Sequence, residues 1–60
     1  MASEYAVLAE LELGGPANVG ALSARLKAGP SKVTRVLARL KVKGKVTTRA
    51  ENGVVVWEKV

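Results

Sequence analysis

The feature that most constrains the fold is a change of hydrophobic period at Gly44. Before it, four aliphatic residues recur at the spacing i, i+3, i+4 and i+7: Val33, Val36, Leu37 and Leu40. That spacing is typical of one buried face of an α-helix. After Gly44, β-branched residues dominate, and Asn52-Gly53 separates two such runs. Because a type I′ turn needs positive φ at both central residues, this dipeptide predicts a β-hairpin.

Capping and helix-breaking residues predict three helices before the hairpin. Ser and Asn side chains accept hydrogen bonds at a helix start, Pro suits the first turn, and Gly ends a helix. Such residues occur at Ser3, at Gly14 to Pro16, and at Asn18, Gly29, Pro30 and Gly44. The predicted helices therefore span about 3–13, 19–27 and 30–43, and the predicted strands span about 45–51 and 54–60. The fold class is α+β.

The hairpin register follows from its turn. With Asn52 and Gly53 as the two loop residues, Thr48 pairs with Trp57. One face then carries Val46, Thr48, Ala50, Val55 and Trp57, and we take it as the inner face. Trp57 is expected in the core rather than as a stacking platform, because a small core needs its ring. The valines at 54 and 56 make the other face apolar as well, so that face either packs against something else or contacts a ligand.

Length and composition bound the class of protein. A chain of 60 residues makes a single domain over residues 1–60 with a small core, so self-association is an open alternative. The sequence contains no Cys and no His, and no converging acids or nucleophiles, so we expect neither an enzyme nor a cofactor or metal. The N-terminus is unlike a secretory signal, and no apolar run reaches membrane-spanning length. We expect a cytoplasmic, nucleoid-associated protein without a small-molecule ligand.

Charge is segregated along the chain. Residues 13–50 contain nine bases and no acid, whereas residues 1–12 contain three acids and no base. One side of a small fold is then strongly electropositive, which attracts a polyanion and raises its encounter rate. Solubility alone does not require 38 consecutive residues without an acid.

The third predicted helix has a face suited to a nucleic acid. Ser31, Arg35 and Ala38 project almost opposite the aliphatic stripe, with Thr34 on one flank and Lys32 and Arg39 on the other. An α-helix fits the major groove of B-DNA, and Arg makes bidentate contacts with guanine or phosphate. Double-stranded DNA is therefore the expected partner. The candidate DNA-binding residues are Ser31, Lys32, Thr34, Arg35, Arg39, Lys43, Lys45 and Arg49.

A known family shares this order of elements. "TRVLARLKVKGKV", residues 34–46, resembles the end of the recognition helix and the start of the wing in MarR-type winged helix-turn-helix regulators, and "LSARL", residues 22–26, resembles the preceding helix. The resemblance covers about residues 17–60. It implies that the third helix enters the major groove and that the hairpin, the wing, reaches an adjacent backbone or minor groove. Lys27 stands where the motif usually has a turn glycine, so we expect a turn reshaped around Gly29.

The sequence also has a more distant resemblance to a family of domains that bind Z-form nucleic acid. "RVLARLKVKGKV" and "VVVWEKV", with Trp57 in the last strand, are similar in layout to Z-alpha-type domains. Those domains grip the zigzag backbone with an Asn and a Tyr, and this chain has Thr34 and Ala38 at the matching places. The departure removes most of the expected Z-form specificity.

The sequence therefore predicts a small transcriptional regulator, such as a repressor, that binds specific duplex DNA sequences. A single module buries little surface, so we expect a homodimer that contacts itself through helix one or the wing. Tyr5 is expected to be structural or to lie at that dimer contact. The competing class is a winged helix used for protein contact through its two-sided apolar wing.

Overall fold

The computed structural model describes residues 3–60. Three helices, α1 (Glu4–Gly14), α2 (Val19–Leu26) and α3 (Pro30–Val42), precede an antiparallel hairpin of β1 (Val46–Glu51) and β2 (Val54–Lys59). Each bound differs by at most one residue from the one expected from the sequence. Residues 1 and 2 of the predicted domain lie outside the described range. Within that range, no helix has the length and apolar composition needed to cross a membrane.

The first two helices begin at side-chain caps. Ser3 Oγ accepts a hydrogen bond of 3.1 Å from the Ala6 N–H, and Asn18 Oδ1 accepts one of 2.8 Å from the Ala21 N–H. Each bond pairs one of the four N–H groups that a helix start leaves without an internal partner. The caps place α1 and α2 at the positions that the sequence predicts.

The core is aliphatic and is built from all three helices. Its buried side chains are Val7, Leu11, Ala17, Leu22, Val33, Leu37, Leu40 and Val46. Three of these eight come from α3, and Val36, the fourth member of the predicted stripe, is partly buried against them. Burial of this stripe fixes α3 by one side, so its opposite side faces solvent.

The turn between α2 and α3 is made by a left-handed lysine. Lys27 adopts φ 53° and ψ 42°, and its N–H donates to the Ser23 carbonyl. Gly29 is extended at φ −64° and ψ 144° and serves as the N-cap position of α3. The expectation of a turn reshaped around Gly29 is therefore wrong, because Lys27 itself takes the conformation that glycine usually supplies.

Lys27→Gly is expected to stabilise the fold. A left-handed conformation costs a residue with a Cβ roughly 1–2 kcal/mol, and the larger unfolded-state entropy of Gly offsets about half of that gain. We expect the free energy of unfolding to rise by about 0.5–1 kcal/mol. Thermal unfolding followed by far-UV circular dichroism measures the change. Lys27→Ala is the control, since it removes the same charge and keeps the Cβ; equal stabilisation by both variants would contradict this account.

The hairpin has the predicted register and an additional partner. Thr48 pairs with Trp57 and Glu51 with Val54 around the Asn52-Gly53 turn. At the far edge of β2, Trp57 also exchanges two backbone hydrogen bonds with Ala17, at 2.8 and 2.9 Å. This bridge, which sequence pattern does not predict, ties the base of the hairpin to the segment between α1 and α2.

Only the base of the predicted inner face is covered. Val46 is buried and Trp57 is partly buried against the core, as expected. Ala50 and Val55, nearer the turn, are exposed, so the prediction that they face the core is wrong. The hairpin extends past the helices, and within residues 3–60 no other element covers its outer half. On the opposite face Val56 is partly buried and Val54 is exposed.

Candidate nucleic-acid interface

The solvent side of α3 carries the predicted site. Ser31, Arg35, Ala38 and Val42 lie within roughly 60° of one another around the helix axis, opposite the buried stripe. All four are exposed. Arg39 lies beside them, and a shallow concavity of about 380 Å³ runs over this surface, lined by Arg35, Ala38, Arg39, Val42 and Lys43.

Arg35 and Arg39 point outward with their charges available. Within residues 3–60, neither guanidinium lies within the 4.0 Å of a carboxylate that defines an ion pair. An exposed, unpaired guanidinium keeps all of its donors free for a planar acceptor such as a phosphate or a guanine edge. Burial of the aliphatic stripe thus leaves both arginines on the solvent side of α3, as the sequence predicts.

The start of α3 adds donors to the same surface. The backbone ladder begins with the bond from the Val33 N–H to the Gly29 carbonyl, at 3.1 Å. The N–H groups of Ser31 and Lys32 precede that ladder, and they point along the axis toward the N-terminal end. The helix dipole favours an anion at this end, next to the exposed Lys32 side chain.

One flank of α3 is tied to the hairpin. Lys41 Nζ donates to Thr48 Oγ1 at 3.2 Å and lies 6.0 Å from the centroid of the Trp57 ring. Both contacts cross from α3 to the inner face of the hairpin. Lys41 therefore links α3 to the hairpin, and Thr34 lies on the same flank about two turns nearer the N-terminus.

The other flank faces an acid from α1. Lys43 Nζ lies 2.8 Å from Glu4 Oε1 in a salt bridge. This hydrogen bond lowers the pKa of Glu4 below the ordinary value of a glutamate; desolvation opposes the change, and the nearby charges of Lys43, Arg39 and Lys45 add to it. Lys43 and Lys45 are both exposed, but Lys43 is held by a carboxylate, whereas Lys45 makes no ion pair within residues 3–60. The sequence pattern gave no signal for this pair.

Arg49 stands apart from the α3 group. Its guanidinium lies 3.2 Å from Glu51 Oε2 and 3.8 Å from Glu58 Oε1. It lies on the face of the hairpin opposite Thr48, and together with Arg25 it lines an open groove of about 420 Å³ near the start of α2. Strand alternation and the register place residues 49, 51 and 58 on one face of the hairpin. Both ion pairs of Arg49 could therefore be predicted from the sequence.

Comparison with known proteins gives structural matches only. No protein-family model matches the chain, and no curated protein matches it. Among solved structures, the apo-Zalpha domain of zebrafish PKZ is similar at 29% identity and a TM-score of 0.91, over 95% of this chain and 89% of that one. A MarR family protein from Bacillus stearothermophilus is similar at 24% identity and a TM-score of 0.89, over 95% of this chain. The chain has the winged helix-turn-helix fold.

A third similar structure contains a nucleic acid. The Zalpha domain of Carassius auratus PKZ, in complex with Z-DNA, matches at 21% identity and a TM-score of 0.86, over 95% of this chain and 90% of that one. The present winged helix spans 41% of the MarR family protein, so it corresponds to one part of that longer chain. In the terms of this fold α3 is the recognition helix and the hairpin is the wing. The fold supports nucleic-acid binding as the general class of function.

Glu4→Gln in this winged-helix domain is expected to strengthen binding to a nucleic acid by a few-fold at pH 7, because a carboxylate no longer offsets the cations at the end of α3. Anisotropy of a labelled duplex measures the change. Glu12→Gln is the matched control, since Glu12 pairs with Lys59 at 3.6 Å instead of with an α3 residue. Equal gains from the two variants would show that only net charge matters.

Glu4 also links stability to pH. Its folded-state pKa is lowered, so the stabilisation from its pair is present above the unfolded-state pKa and is lost as pH falls through the folded-state value. We expect the wild type to melt above Glu4→Gln at pH 7, and we expect the difference to shrink as pH falls below the ordinary range of a glutamate and to vanish below the lowered folded-state pKa. A difference in melting temperature that stays constant through this acid range would contradict the ion-pair origin.

Proposed function

We propose that this winged-helix domain binds double-stranded B-form DNA in a sequence-dependent way, as a small transcriptional regulator of the repressor type. The recognition helix lies in the major groove, and the wing contacts the adjacent backbone or minor groove. The observation that carries the proposal is the exposure of Arg35 and Arg39, unpaired among the described residues, on the side of α3 opposite its buried stripe.

The α3 side chains divide into two roles under this proposal. Ser31, Thr34, Arg35 and Arg39 read base edges, with each arginine suited to a bidentate contact with guanine. Lys32 and the backbone N–H groups at the helix start hold a phosphate and set the position of the helix.

Three further cationic side chains contact the DNA backbone under this proposal, and they differ in the ion pairs that they must first break. Lys45 is exposed and contacts phosphate directly. Lys43 and Arg49 must each first give up a solvent-exposed ion pair with a glutamate. Their contribution to affinity is therefore smaller than that of Lys45, although neither is excluded from contact by burial.

Dimerisation supplies the remaining interface. A symmetric homodimer reading two half-sites doubles the buried surface of a 60-residue module. Exposed Tyr5 and Leu13 on α1, at 83% and 84% of their full exposure, support α1 as the contact surface. Tyr5 thus lies outside the core and has no structural role there. Of the two roles expected for Tyr5, we therefore assign it the dimer contact. Such a regulator would act in the cytoplasm, on the nucleoid.

Two binding measurements test the proposal in sequence. Fluorescence anisotropy with a random-sequence duplex at low salt is expected to show binding that weakens linearly in log Kd against log salt, as phosphate contacts release counterions. Selection from a random library is then expected to give a preferred sequence. If no duplex binds at low salt, the regulator proposal fails, and the exposed Val54 and Val55 of the wing point to a protein partner instead.

Z-form DNA is the second candidate, favoured by the 29% identity to a Zalpha domain that the chain matches over 89% of its length. Circular dichroism of an alternating dC-dG duplex separates the candidates. The B-form proposal expects the spectrum to remain right-handed on titration with protein, since Thr34 and Ala38 stand in place of an Asn and a Tyr. Inversion of the spectrum would support Z-form binding.

A further inference from the structure

The exposed face of α3 contains an apolar strip that the proposed contacts do not use. Ala38 and Val42 are one turn apart on the solvent side, and Val42 retains 90% of its full exposure. They line the shallow concavity over α3 together with Arg35, Arg39 and Lys43. The strip thus lies among cations that the proposal directs at DNA.

Neither folding nor solubility accounts for Val42. It contributes nothing to the core at this exposure, and a β-branched residue slightly disfavours a helix. An isolated exposed aliphatic residue is ordinary, but here two small apolar groups lie one turn apart along the centre line of a face otherwise composed of cations and hydroxyls, with Val42 at its C-terminal end. A partner surface with an apolar group at matching depth would bury them.

The major groove has one such group. Among the four bases only thymine presents an apolar group there, the C5-methyl, whereas the other edges present hydrogen-bond donors and acceptors. Ala38 and Val42 differ by four residues, a rise of about 6 Å along the helix, which is close to two base-pair steps of about 3.4 Å. Small side chains also let the helix approach the base edges closely enough for such contact.

We infer that Ala38 and Val42 read thymine methyl groups, next to guanines contacted by Arg35 and Arg39. The inference rests on the proposed function and adds to it the kind of sequence that is preferred: thymine within a step or two of guanine in each half-site. Arginine discriminates through hydrogen bonds, and the apolar strip discriminates by burying a methyl group.

Replacing thymine by deoxyuridine tests the inference, because it removes only the C5-methyl and keeps base pairing. In the duplex obtained by selection, each thymine is replaced in turn and Kd is measured by anisotropy at fixed salt. Burial of one methyl group corresponds to about a fourfold change in affinity. We expect a loss of that size at one or two positions of each half-site and none elsewhere.

Substitutions of Ala38 and Val42 test whether the loss of affinity with deoxyuridine depends on α3. Val42→Ser removes both side-chain methyl groups and leaves a hydroxyl, so it is expected to reduce the deoxyuridine effect at one position. Ala38→Ser adds a hydroxyl to the only side-chain carbon of Ala38 and is expected to reduce the effect at the other position. Val55→Ser is the matched control, since Val55 is exposed on the wing, and it is expected to leave every deoxyuridine effect unchanged. Far-UV circular dichroism checks that each variant is folded.

The outcomes separate the inference from the proposed function. Salt-dependent, sequence-dependent binding that is indifferent to deoxyuridine at every position would overturn the inference and leave the proposed function intact. A deoxyuridine effect that survives Val42→Ser combined with Ala38→Ser would also overturn it, because the methyl groups would then contact other residues. Absence of duplex binding would overturn both.

Discussion

Arg35→Ala combined with Arg39→Ala is expected to abolish sequence preference and to weaken binding of the preferred duplex by at least about 30-fold. Loss of one bidentate arginine contact with a base costs about 1–3 kcal/mol, so two such losses amount to at least about 2 kcal/mol. Both side chains are exposed, and their removal leaves the core untouched. Anisotropy at one fixed salt concentration, on the preferred duplex and on a scrambled one, measures the effect.

A control variant with the same change in net charge as Arg35→Ala distinguishes base recognition from general electrostatic attraction to DNA. Lys59→Ala removes one positive charge, as Arg35→Ala does, but Lys59 lies at the end of the wing and pairs with Glu12 of α1. It is expected to weaken both duplexes slightly and equally. If Arg35→Ala also weakens both duplexes equally, Arg35 contacts phosphate and does not read a base.

Local patterns predicted most of the fold because each signal lies within one element. The aliphatic spacing of α3 orients that helix, and Asn52-Gly53 fixes the hairpin register. The bridge between Ala17 and Trp57 involves a single residue pair, which produces no periodic signal. The exposure of Val55 depends on how far the hairpin extends past the helices, and alternation along a strand carries no information on that distance.

The candidate site was predictable to the extent that one helix face determines it. Arg35 and Arg39 point outward because the stripe on their own helix is buried. The pair of Glu4 and Lys43 joins residues 39 positions apart, so only the packing of α1 against α3 creates it. Val42 was not predictable for a different reason: the role of an exposed valine depends on which side chains surround it on the folded surface.

Leu37→Ala is expected to unfold much of the protein at room temperature. Leu37 is fully buried in the middle of the α3 stripe, and truncation of a buried leucine costs about 2–5 kcal/mol. A domain of 60 residues has a total stability of only about 3–9 kcal/mol at the usual 0.05–0.15 kcal/mol per residue. Urea unfolding followed by Trp57 fluorescence and far-UV circular dichroism measures the loss.

Val42→Ala is the matched control for stability on the same helix. Val42 lies on the opposite side of α3 at 90% exposure, so its truncation is expected to change the free energy of unfolding by less than about 0.5 kcal/mol. The two variants together test the division of α3 into a face that holds the helix and a face that meets its partner. Equal urea midpoints for Leu37→Ala and Val42→Ala would contradict that division, and with it the outward placement of Arg35 and Arg39.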